Sequence, residues 1–85
     1  MSYSLTFGRQ ARKEIKTFDA ATIRRIENRL RQLSNNPLDP RISKVIKMSP
    51  GRRTSRVGDW RIIYKVVDSE MTIEVVSIWP RRKAY

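Results

Sequence analysis

The chain has 85 residues, enough for one domain (residues 1–85) around one modest core. It contains no Cys and no His, which excludes a disulfide scaffold and thiolate chemistry and leaves a transition-metal site without its usual ligands. Its 19 Lys and Arg against 8 Asp and Glu give a formal net charge of +11, and a surface this basic attracts a polyanion, usually nucleic acid.

The charge is distributed rather than confined to a tail, with 11 Lys or Arg in residues 1–50 and 8 in residues 51–85. No apolar run approaches the roughly 20 residues of a spanning helix. No cationic helix with a broad aromatic face marks a membrane-surface protein. No signal peptide precedes the first periodic segment. The expected location is cytoplasmic, with no membrane partner, no metal and no cofactor.

Tyr3-Ser4-Leu5-Thr6-Phe7 alternates and predicts a first strand. Ala11, Ile15 and Phe18 then follow a helical period, with Arg12, Lys13 and Lys16 on the other side. Asp19 is placed to cap a second helix, whose stripe Ile23, Ile26, Leu30 and Leu33 steps by three, four and three residues. Arg24, Arg25, Arg29 and Arg31 lie largely off that stripe. Asn35-Asn36-Pro37 ends the helix, and Leu38-Asp39-Pro40 prolongs the break.

Residues 41–48 fit either a helical turn or a short strand. Pro50-Gly51 marks a turn, residues 52–56 read as a strand, and Val57-Gly58-Asp59 makes a tight connection. Residues 60–67 form the clearest strand of the chain. Trp60, Ile62, Tyr64 and Val66 make its core face, and Arg61 emerges with Ile63, Lys65 and Val67 on the opposite, more polar face. Asp68-Ser69-Glu70 is a hairpin turn, residues 72–79 are the last strand, and Pro80 ends it. The predicted class is α+β: a strand, two antiparallel basic helices, and three further strands, with the helices on one face of a mostly antiparallel four-stranded sheet.

Strand alternation and the short turn bring Arg56 and Arg61 onto neighbouring strands. Arg81 and Arg82 leave the end of the last strand, expected to lie beside Arg61. Guanidinium groups gathered there suit bidentate contacts to phosphate and stabilisation of a phosphorane-like transition state. Tyr85 is placed to stack on a base or to take part in proton transfer, the latter against an unperturbed pKa of about 10. Trp60 and Tyr64 read as core residues rather than base-stacking platforms, because they share a face with Ile62 and Val66. The carboxylates form no pair that invites a metal ion.

Two motifs carry a family resemblance. Arg56-Val57-Gly58-Asp59-Trp60-Arg61-Ile62-Ile63-Tyr64-Lys65-Val66 resembles the arginine-bearing strand of the RelE/ParE toxin superfamily, and Ile78-Trp79-Pro80-Arg81-Arg82-Lys83-Ala84-Tyr85 resembles its terminal motif of paired arginines followed by tyrosine. The resemblance spans almost the whole chain and includes the order of elements. It implies the toxin of a type II toxin–antitoxin system, of RelE-like fold. Such a toxin is an mRNA interferase that cuts mRNA in the ribosomal A site and is held inactive by a cognate RelB-like antitoxin.

The implied reaction is metal-independent attack of an RNA 2′-OH on its own phosphate, with Arg61, Arg81 and Tyr85 as catalytic residues. Arg52, Arg53, Arg56, Lys47, Arg82 and Lys83 would contact the RNA strand, and Lys13, Lys16, Arg24, Arg25 and Arg31 would grip ribosomal RNA. The sequence departs from the family pattern at Pro80, where many relatives have His or another polar residue, and at Thr54 and Ser55, which make that strand less basic. The general base is left unassigned. The ParE branch offers an alternative, a DNA gyrase inhibitor without nuclease activity. A plain nucleic-acid-binding module accounts for the charge but not for the spacing of the two motifs.

Overall fold

A computed structural model describes residues 2–80. In chain order they form β1 (Ser4–Phe7), α1 (Arg9–Ile15), α2 (Ala20–Asn35), β2 (Lys44–Val45), β3 (Arg52–Val57), β4 (Trp60–Val67), a 3₁₀ turn (Asp68–Glu70) and β5 (Thr72–Pro80). The sheet order is β1-β5-β4-β3-β2.

The predicted α+β class holds, with two helices against one face of the sheet. The sheet has five strands rather than four, because Lys44–Val45 in the ambiguous segment 41–48 pairs antiparallel with Arg53 and Thr54. It is mixed, because β1 runs parallel to β5 in the register Ser4 to Thr72 through Phe7 to Val75. The other pairings are antiparallel.

Local chemistry explains the boundaries. Asp19 caps α2 as expected: its Oδ1 accepts the Thr22 amide at 2.8 Å, which also lowers the Asp19 pKa. Met71 closes the turn between β4 and β5 in the left-handed region at φ 48°, and Gly58 turns the β3–β4 hairpin at φ 57°.

Ala11 from α1 and Ile26, Leu30 and Leu33 from α2 pack on Ile62, Tyr64, Ile73, Val75 and Ile78 of the sheet. Trp60 and Val66 pack against this cluster, and the Phe18 and Trp60 rings lie 4.4 Å apart at 48°. Each fully buried aliphatic side chain contributes about 1.5–3 kcal/mol relative to exposure. The even-numbered face of β4 is therefore the core face, as its alternation predicts. Ile63 departs from that division: it lies on the other face, beside Thr54 and Ser77, yet is 3% exposed. Among the described residues, no helix is long and apolar enough to cross a membrane.

Candidate functional site

Cross-strand register builds the site. Arg61 on β4 lies directly opposite Arg56 on β3 and Trp79 on β5. Four residues along β4, Lys65 lies opposite Arg52 and Glu74. Because side chains alternate along a strand, Arg52, Thr54 and Arg56 share the sheet face of Arg61 and Lys65, away from the helices. A bulge supplies one adjustment. Ile63 pairs with Ser77 but Tyr64 pairs with Val75, which leaves Val76 as the extra residue on β5.

The predicted residues divide by placement. Arg61 and Arg56 come together on the open face, and Arg52 shares that face four residues away along β3, opposite Lys65. Arg53 does not. It pairs with Tyr64 on the helix side of the sheet, and its Nε donates to Ser43 Oγ at 2.6 Å. Ser43 in turn donates to the Tyr64 hydroxyl, which donates to the Pro37 carbonyl at 2.7 Å. This chain pins the connection after α2 to the sheet. Burial pushes the Tyr64 pKa upward, opposed in part by the Ser43 and Arg53 contacts.

Lys47 is exposed in the turn between β2 and β3. Lys13 on α1 and Lys16 at its C-terminal cap are exposed and form a cationic patch with Arg9 and Arg12. Arg24, Arg25 and Arg31 are exposed on α2. Arg81, Arg82, Lys83 and Tyr85 lie outside the described residues. Trp79 opposite Arg61 is two positions before Arg81 in the sequence.

Three further cations join the site. Arg29, Arg41 and Lys44 line one cavity together with Arg56 and Arg61. Arg29 is fastened there: Nη1 donates to Ser55 Oγ at 3.0 Å and to the Arg56 carbonyl at 2.7 Å, and Nε donates to Gln32 Oε1 at 2.9 Å. Arg41 is held by Asp39 through Nε at 3.1 Å and Nη2 at 2.8 Å, contacts that draw the Asp39 carboxyl below its usual range. The i, i+4 spacing of Arg25 and Arg29 on α2 was the available sequence signal, but that spacing does not say which strand the pair meets.

Chemically, the open face is a field of guanidinium and ammonium donors. It fits a polyanion and can stabilise charge on a phosphate, and among the described residues it offers no carboxylate pair for acid–base chemistry. Among the described residues, no group of three or more acidic side chains is placed to hold a metal ion.

Comparisons with known proteins agree with the fold. The RelE–RelB complex from Pyrococcus horikoshii OT3 is similar at TM-score 0.81 and 23% identity, over 99% of this chain and 100% of that one. The intact E. coli RelBE toxin–antitoxin complex gives TM-score 0.82 and 18% identity, over 93% and 96%. The E. coli DinJ–YafQ toxin–antitoxin complex gives 0.76 and 18%, over 100% and 99%. No curated protein matches the sequence. A family model described as the ParE toxin of type II toxin–antitoxin systems (parDE) matches residues 5–85. The chain thus belongs to the ParE toxin family, within the RelE/ParE superfamily of type II toxin–antitoxin toxins.

Proposed function

We propose that this toxin is a ribosome-dependent endoribonuclease that cuts mRNA in the A site. The observation that carries the reading is the rung Arg56–Arg61–Trp79, which sets two arginines opposite each other on the open sheet face, with Trp79 two positions before Arg81 in the sequence. In the proposed reaction the 2′-oxygen of the substrate nucleotide attacks the adjacent phosphorus. The P–O2′ bond forms and the P–O5′ bond breaks. The 2′-OH gives up its proton and the leaving 5′-oxygen gains one, so the products are a 2′,3′-cyclic phosphate and a 5′-hydroxyl. Arg61 and Arg81 orient the phosphate and neutralise charge that builds on its oxygens, a role that needs no metal. Tyr85 stacks on the nucleotide or helps activate it.

Arg52 and Arg56, with Arg53, Lys47, Arg82 and Lys83, are proposed to follow the RNA strand. Lys13, Lys16, Arg24, Arg25 and Arg31 are proposed to meet ribosomal RNA. A cognate RelB-like antitoxin, acidic where it touches the toxin, is the proposed partner that silences it. Support comes from fold neighbours solved as toxin–antitoxin complexes. The proposed site of action is cytoplasmic.

Primer extension on mRNA in a translation extract tests the reading. Wild type produces discrete cuts at A-site codons, and Arg61→Ala combined with Arg81→Ala abolishes them. Codon-specific cleavage that survives the double substitution defeats the proposal. The ParE family match favours one alternative, inhibition of DNA gyrase without nuclease activity. Block of gyrase supercoiling with no mRNA cleavage would establish that alternative.

A further inference from the structure

We propose that the cavity at the outer edge of β3 seats one phosphate group of an RNA backbone, a neighbour of the phosphate at the reacting position. The inference deepens the reading above and rests on it for the identity of the polyanion.

The cavity has a volume of about 140 Å³. Its cations come from five separate places in the fold: Arg29 from α2, Arg41 from the connection after α2, Lys44 from β2, Arg56 from β3 and Arg61 from β4. Among the described residues, no acidic side chain lines it. Like charges directly opposite on neighbouring strands oppose folding, and Arg56 and Arg61 occupy that relationship. Five cationic side chains around one cavity favour an anion there.

The cluster is also preorganised. Three hydrogen bonds hold the Arg29 guanidinium at the wall, and Asp39 grips Arg41 from outside the cavity. Arg29 therefore pays little further ordering entropy when an anion arrives. Thr54 supplies the independent observation. It lines the same cavity, and its buried Oγ1 has no hydrogen-bond partner among the described residues. A buried hydroxyl seldom stays unsatisfied unless a ligand or water completes it.

The chemistry of the lining selects the ligand. The lining cations come from several elements, which suits a group that accepts hydrogen bonds on several tetrahedrally disposed oxygens. A carboxylate presents two oxygens in one plane and meets fewer of these donors. Phosphate is therefore favoured over an acidic side chain.

The test is a titration of the full chain followed by backbone amide NMR. Inorganic phosphate is expected to shift the amides of Lys44, Thr54 and Arg56, while acetate at equal ionic strength does not. A short single-stranded RNA, 2′-deoxy at the scissile nucleotide so that it resists cleavage, is expected to shift the same amides at lower concentration. Lys44→Met should weaken both ligands by roughly tenfold, the worth of one charge-assisted hydrogen bond. Thr54→Val should weaken them several-fold, and Arg9→Met, which removes the same charge elsewhere, should leave phosphate binding at the wild-type level. The spectra themselves report whether each variant is folded.

Acetate shifts equal to those of phosphate overturn the proposal. So do phosphate shifts centred on α1, or wild-type binding by both Lys44→Met and Thr54→Val. Phosphate binding lost in Lys44→Met with RNA binding unchanged would make this a free-phosphate site and overturn the backbone assignment. Localised binding by a wild-type protein that cuts no mRNA would sustain this inference and defeat the cleavage reading. Cleavage abolished by Arg61→Ala, with phosphate bound normally by Lys44→Met and Thr54→Val, would do the reverse.

Discussion

Glu14 belongs to α1, yet it completes the hydrogen bonding of β5 at Ile78: its Oε1 accepts the Ile78 amide at 2.7 Å. Both carboxylate oxygens also accept from Ser77 Oγ at 3.1 Å. The strand needs this help because β1 stops pairing at Phe7 opposite Val75, and the bulge at Val76 lies just beyond. The carboxylate stands in for the missing strand neighbour on the segment that leads to the terminal arginines. Glu14→Ala is expected to cost about 1–3 kcal/mol of stability, because it leaves the amide and hydroxyl unpaired. Glu14→Gln, which keeps an acceptor oxygen, should cost less. Urea unfolding of the two variants checks the order, and equal losses would show that only packing is at stake.

Tyr64 anchors the connection after α2 through Ser43, Arg53 and Pro37. Tyr64→Phe should cost about 1–2 kcal/mol, since it removes one donor and leaves the Pro37 carbonyl unmatched. Faster amide exchange in residues 38–46 is expected alongside. Unchanged protection there would disconnect the network from the loop.

The same residue has a pH consequence. Burial raises the folded-state pKa of Tyr64, so its stabilisation is fully present below the unfolded value of about 10 and is lost as pH rises through the folded value. Tyr3, whose hydroxyl donates to Asp68 at 2.8 Å, is shifted in the same direction. Stability should therefore fall above about pH 10, and Tyr64→Phe should flatten that fall without abolishing it. Denaturant midpoints across alkaline pH measure this. A Tyr64→Phe profile parallel to wild type contradicts it.

Leu33 is wholly buried where α2 meets the sheet. Leu33→Ala is expected to cost about 2–5 kcal/mol from lost transfer energy and the cavity left behind. In a chain of 85 residues, that loss takes much of the margin. The thermal midpoint gives the answer directly, and a change of only a degree or two would mean that the helix repacks.

Nineteen cations against eight carboxylates leave the fold working against its own charge. The salt bridge found among the described residues joins Asp39 and Arg41, close neighbours in sequence. Raising sodium chloride from about 0.05 to 0.5 M should raise the midpoint, because screening weakens repulsion over distances beyond a few ångströms. Polyvalent sulfate at matched ionic strength should raise it further. A midpoint that falls with salt would indicate that attractive pairs dominate.

The amino-acid sequence by itself determined the features that depend on near neighbours. The Asp19 cap, the α2 stripe and the two faces of β4 follow from periods of a few residues, and each appears where those periods place it. The Arg56 and Arg61 pairing was legible for the same reason: a tight turn at Val57-Gly58-Asp59 leaves little choice of register. The family motifs were legible because each is one continuous run of sequence. Only the tertiary structure decided the rest. It put Arg53 on the helix side of the sheet, where Ser43 holds it, and it made β2 from an ambiguous segment by pairing it with β3. It also gathered Arg29, Arg41 and Lys44 around Arg56 and Arg61, and it brought Glu14 to the edge of β5. Those placements depend on which edges and faces meet after long stretches of chain. Burial and hydrogen-bond satisfaction settle such meetings over the whole molecule, and no local spacing encodes them.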